Sequence, residues 1–106
     1  MTSAQFRKLA LSFENAEEHA HFDRIAFKIK GKRIFATLDE KGITANLKLS
    51  PLDQSAFVTY GGGAVYAVPN KWGLQGWTTF ELKKLTRDLL HDALTTAYAE
   101  ANTKRK

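Results

Sequence analysis

Residues 25–49 constrain the fold more than any other part of this chain. Ile25, Phe27 and Ile29 alternate with Ala26, Lys28 and Lys30, and a β-strand sends successive side chains to opposite faces. Gly31-Lys32 reads as a hairpin turn. In the return segment Arg33–Leu38, Ile34, Ala36 and Leu38 fall on one face, with Arg33, Phe35 and Thr37 on the other. Asp39-Glu40-Lys41-Gly42 reads as the next turn. Ile43, Ala45, Leu47 and Leu49 then point inward, and Thr44, Asn46 and Lys48 outward. Three such segments in a row predict an antiparallel meander with one buried and one solvated face.

The flanking segments supply a cover for the buried face. Ser3 reads as the cap of a first helix with Phe6, Leu9, Ala10 and Phe13 at helical spacing. Residues 17–22 read as a polar strand at a sheet edge. Ser50-Pro51-Leu52-Asp53 has the composition of a helix start. Leu52, Ala56 and Phe57 are its expected apolar contacts, and Gly61-Gly62-Gly63 its end. Short strands are predicted over Ala64–Val68 and Trp77–Leu82. A last helix starts at Thr86, stapled by Leu85 and Leu90. Its stripe of Leu89, Leu90, Ala93, Leu94, Ala97, Tyr98 and Ala101 is wide enough to pack on the sheet. The prediction is a single α+β domain over 1–103 followed by a basic tail, 104–106.

Composition excludes several classes. At 106 residues and 43% hydrophobic, the chain can build one core and is not a disordered segment. Without cysteine it can form no disulfide and no thiolate metal site, which suits a reducing compartment. No apolar run approaches the roughly 20 residues that cross a bilayer. The first residues show no basic-then-apolar leader pattern, so a cytoplasmic location is expected. The net charge of +5 is unevenly spread: residues 24–49 are net +5 and Lys104-Arg105-Lys106 adds +3, while the rest is net acidic.

Three segments together carry a resemblance. They are Phe27-Lys28-Ile29-Lys30-Gly31-Lys32 with Ile34-Phe35-Ala36-Thr37-Leu38, then Asn46-Leu47-Lys48 leading to Ser50-Pro51, and above all Val68-Pro69-Asn70-Lys71-Trp72-Gly73-Leu74-Gln75-Gly76-Trp77-Thr78. On these residues the chain resembles the MmcQ/YjbR family of small bacterial proteins over nearly its whole length. The resemblance implies a two-layer α+β fold, a curved antiparallel sheet with helices on one face. It also implies the label that family carries, DNA-binding, inferred from two β-hairpin wings in a "double wing" arrangement. The same fold is similar to secretion chaperones and frataxin-like proteins, which bind protein partners or metal. Fold alone does not decide among these.

The candidate nucleic-acid contacts are Lys28, Lys30, Lys32, Arg33, Lys48 and Lys71, because cationic side chains displace the counterions condensed on phosphates. Phe35 and Trp72 are candidate stacking or partner contacts. Lysines on a strand face also keep a sheet soluble, and Lys48 could serve structurally by pairing with Glu18. Trp77, opening a strand, is expected in the core or at its edge, whereas Trp72 is left open between core and surface. Gly73 and Gly76 are expected to supply positive-φ turns. His19 and His21 share a strand face, but with Glu17 as the only added ligand they are read as surface residues, and no metal or cofactor is expected. His91 is expected on a helix surface. No nucleophile elbow, phosphate loop or other catalytic motif occurs, so no enzyme is predicted. The expected partner is DNA or RNA, bound with little sequence preference; the rival is a protein-interaction or chaperone-like module using the sheet face and the Trp72 loop.

Overall fold

The computed structural model describes residues 1–103; the basic tail 104–106 lies outside the described residues. In chain order the elements are α1 (Ser3–Leu11), β1 (Ala16–His21), β2 (Arg24–Ile29), β3 (Ile34–Asp39), β4 (Thr44–Lys48), α2 (Pro51–Tyr60), β5 (Val65–Ala67), α3 (Lys71–Leu74), β6 (Trp77–Glu81), a 3-10 turn at Leu82–Lys84, and α4 (Arg87–Asn102). All six strands join one antiparallel sheet in the order β1-β2-β3-β4-β6-β5. The meander predicted over residues 25–49 is therefore three of its strands, and β6 inserts between β4 and β5.

One face of the sheet carries the core. Phe27, Ala36, Leu38, Ala45, Leu47 and Phe80 meet Phe6, Leu9 and Ala10 of α1 and Leu90, Ala93, Leu94 and Ala97 of α4, all buried. The helices start where their caps dictate. Ser50 accepts from the Asp53 amide at 3.1 Å with Pro51 in the first helical position, and Thr86 accepts from the Leu89 amide at 3.2 Å. For α1 the cap is Thr2 and not Ser3. Its hydroxyl accepts from the Gln5 amide at 3.1 Å while Gln5 Oε1 accepts from the Thr2 amide at 2.9 Å, a reciprocal pair that Ser3 cannot form.

Two packing expectations change. Helix α2 lies over the short outer strand β5 and not over the middle of the sheet, so only Phe57 reaches the core, edge-on to Phe80 at 6.0 Å. Leu52 is 82% exposed and Ala56 is also exposed. The second change is in β3. Its register with β2 runs Ile25↔Leu38, Ala26↔Thr37 and Phe27↔Ala36, then jumps to Lys28↔Ile34. Phe35 is the extra residue of a β-bulge, which breaks the alternation. It turns to the helix side, fully buried, edge-on to Phe13 at 6.3 Å and to Tyr98 at 5.7 Å. Ile34 takes the opposite face instead, half-buried beside Lys48 and Trp77. Phe35 thus leaves the set of candidate contacts.

Candidate functional site

Among the described residues no long helix covers the other face of the sheet. Strand alternation and register place His21 and Arg24 of β1–β2, Thr37 of β3, Asn46 and Lys48 of β4, and Trp77 and Thr79 of β6 on this outer side. Together with Ile34, Val68 and Trp72, five of them (His21, Arg24, Thr37, Asn46 and Trp77) line a groove of about 420 Å³.

The tryptophan run builds one wall of that groove. Thr78 turns inward, fully buried, with its hydroxyl donating to the Gly76 carbonyl at 3.0 Å, so Trp77 must turn outward. It is half-buried on the open face and does not join the core beneath the helices. Asn70 caps the single turn α3 by accepting from the Trp72 amide at 2.8 Å, and Trp72 is left 52% exposed. The two glycines are required for different reasons. Gly76 has φ +108, and a Cβ there would lie 1.7 Å from the Leu49 carbonyl oxygen. At Gly73 the demand is close approach, since a Cβ would lie 1.9 Å from the Val68 carbonyl oxygen; no positive φ is involved. Gln54 of α2 then ties the run down, donating to the Gly73 carbonyl at 3.0 Å and the Trp77 carbonyl at 3.1 Å.

The floor of the groove is polar and rich in donors. Arg24 Nε donates to Thr37 Oγ1 at 3.0 Å, and Nη1 lies 3.9 Å from Asp39. Arg24 Nη2 is buried with no hydrogen-bond partner among the described residues; such a donor costs about 1–3 kcal/mol until an acceptor reaches it. Thr79 donates to Asn46 Oδ1 at 2.7 Å, and among the described residues the Asn46 N–H groups have no hydrogen-bond partner. Sequence reasoning placed Thr37 and Asn46 outward without using them and passed over Arg24 and Gln54. The available signal was that the outward positions of central strands share one surface.

The six basic candidates divide. Lys28 is half-buried on the outer face, Lys30 is exposed beside the hairpin turn, and Lys71 is exposed on α3. Lys48 lies on the same face, its ammonium 3.4 Å from the Leu49 carbonyl, beside a second hollow lined by Arg33, Ile34, Trp77 and Glu100. Lys32 and Arg33 are drawn elsewhere. Arg33 donates to the Glu100 carbonyl at 2.9 Å and the Thr103 carbonyl at 3.2 Å, and the Lys32 ammonium donates to Asn102. Both hold the β2–β3 hairpin against the C-terminal end of α4, where the helix dipole favours cations.

Glu18 is not the partner of Lys48. It pairs with Phe27 in register, hence faces the helix side, and binds Arg7 with Arg7 Nε donating at 2.7 Å. The hydrogen bond from Arg7 holds the Glu18 carboxyl below the usual glutamate range. At the far end of the outer face charge is paired. Glu81 accepts from Lys84 at 3.0 Å and from the Tyr66 hydroxyl at 3.1 Å, Lys84 first among the causes that lower its pKa. Burial, then Glu81, pushes the Tyr66 phenol up. On β1, His19 lies 3.2 Å from Glu17, and among the described residues no three His, Cys, Asp or Glu gather as a metal site. His91, exposed on α4, stacks against Phe13 at 6.1 Å.

A model of the YjbR family matches residues 11–100. The crystal structure of Deinococcus radiodurans protein DR2400, with domain DUF419, superposes with a TM-score of 0.81 at 19% identity, covering 97% of this chain and 80% of that one. At that identity the likeness speaks for the fold, a sheet with helices packed on it. No curated protein matches the sequence.

Proposed function

This chain belongs to the YjbR family, and from that membership and its open sheet face we propose a nucleic-acid-binding module of low sequence specificity, bound without catalysis. The observation that carries the reading is the meeting of charge and aromatic surface. Lys28 and Lys48 lie on the outer face, Lys30 beside the hairpin turn and Lys71 on α3; Lys48 shares a hollow with Trp77, and Lys71 precedes Trp72. Cations would contact phosphate and the indoles would contact bases. Low specificity follows from the scaffold: the solvent side of α4 carries Asp88, Asp92 and Glu100 against Arg87, which is unsuited to a major groove. The setting proposed is a bacterial cytoplasm.

The test is fluorescence anisotropy with a labelled oligonucleotide over a salt series. With four phosphates engaged, affinity should fall roughly a hundredfold between 50 and 200 mM salt. Lys28→Glu with Lys71→Glu should abolish it. Absence of binding at low salt, or survival of both reversals, rejects the proposal. The 52% exposure of Trp72 favours a second reading, a protein-interaction or chaperone-like surface. In that case Trp72→Ala removes a partner that lysine reversals leave bound.

A further inference from the structure

We propose that the outer-face groove receives one unstacked nucleobase, so that the nucleic acid recognised is a single strand. The inference rests on the nucleic-acid reading above and narrows it.

The walls and floor of the groove ask for different things. Trp72 and Trp77, with Ile34 and Val68, offer flat apolar surface to the face of a ring. Arg24 and Asn46 line the same groove, and among the described residues Arg24 Nη2 and the Asn46 N–H groups have no hydrogen-bond partner. A ligand that fits must therefore be planar and must present acceptors along one edge. Thymine and uracil offer two carbonyl acceptors against a single N3–H, and guanine offers O6 and N7 side by side; adenine sets its N6 donor group beside either acceptor, N1 or N7. A peptide side chain rarely combines a wide planar ring with two edge acceptors.

Duplex DNA cannot satisfy this site as it stands. Its base faces are covered by stacked neighbours, and exposing one face requires unpairing a base. A single strand exposes both face and edge at no such cost. The cations are placed for a backbone that crosses the groove, with Lys28 and Lys30 on the β2–β3 side and Lys71 on the α3 side.

The chain's two tryptophans both line the groove, so intrinsic fluorescence reports its occupancy directly. The probes are a short oligothymidylate, an oligoadenylate of equal length, a blunt duplex and thymidine monophosphate. Oligothymidylate should change the emission and bind more tightly than oligoadenylate or duplex. Trp72→Ala, at an exposed position, should weaken it roughly 5- to 150-fold. Arg24→Gln should erase the preference for thymidylate over adenylate. Asn46→Asp, which keeps the acceptor for Thr79 and turns the donor into an acceptor, should do the same if Arg24→Gln proves unstable by circular dichroism. Equal duplex and single-strand affinity, or binding that leaves the emission unchanged, overturns this proposal while the broader reading stands. Thymidine monophosphate binding as tightly as the oligomer also overturns it, marking a small-molecule site. No binding of any probe at low salt overturns both readings together.

Discussion

Phe35→Ala separates two placements of one residue by their consequences. The bulge in β3 puts Phe35 in the core, fully buried, with edge-on contacts to Phe13 and Tyr98. Removing a buried phenylalanine costs about 3–5 kcal/mol. Two lost ring pairs, each about 0.5–1.5 kcal/mol beyond area burial, set the expectation at the upper end, ~4–5 kcal/mol. A domain of this size holds about 5–15 kcal/mol in all, so the variant should be marginal but measurable. With a urea dependence of about 1–3 kcal/mol per molar, the unfolding midpoint should fall by about 2 M. Unfolding followed by circular dichroism measures this, and the oligonucleotide affinity of the folded fraction should be unchanged. Phe35→Leu, a milder truncation, keeps the binding measurement possible if the alanine variant does not fold. Unbroken alternation predicts the reverse, a stability within about 0.5 kcal/mol of the parent and weakened binding. That result would refute the bulge.

Two further changes test other parts of the fold. Gly76→Ala should cost more than about 3 kcal/mol in a denaturation assay, since it meets the Leu49 carbonyl at 1.7 Å in addition to the strain of φ +108. Gly62→Ala, with φ +58 and nothing within 4 Å, should cost only about 1–2 kcal/mol; the opposite order would mean the Gly76–Leu49 approach is wrong. Because Arg7 lowers the Glu18 pKa, that pair contributes stability above the ordinary glutamate range and loses it as pH falls through the folded-state value. The gap in urea midpoint between the parent and Glu18→Gln should therefore hold near neutral pH and close in acid. A gap indifferent to pH would exclude the pair as its source.

Much of this architecture is legible from local chemistry. The alternation in β2 and β4, Ser50-Pro51 and Thr86 as helix starts, and the α4 stripe each follow from the residues themselves. What local pattern cannot supply is the choice between near-equal options that distant packing makes. Alternation alone assigns Phe35 outward, and only Phe13 and Tyr98, brought from other elements, reward turning it inward. Leu52 and Ala56 have helix-face spacing, yet the sheet ends at β5 and leaves them nothing to cover. Lys32 and Arg33 look like any hairpin cations until the end of α4 arrives beside them. The groove was hidden for the same reason: Arg24, Thr37, Asn46 and Trp77 sit on four different strands, and only register makes them neighbours.

An open sheet also has two borders, and here they are defended by different means. β5 offers a newcomer only three residues, Val65–Ala67, with Gly62-Gly63 before them and Pro69, which has no N–H, shortly after. β1 spans six residues and is long enough to template another chain. Its guard is the charge of Glu17 and Glu18, one beside His19 and the other held by Arg7. Shortness is indifferent to solution conditions, whereas carboxylate charge is not. The two borders therefore differ in kind: pairing with another chain is opposed at β5 by length and at β1 by side-chain charge.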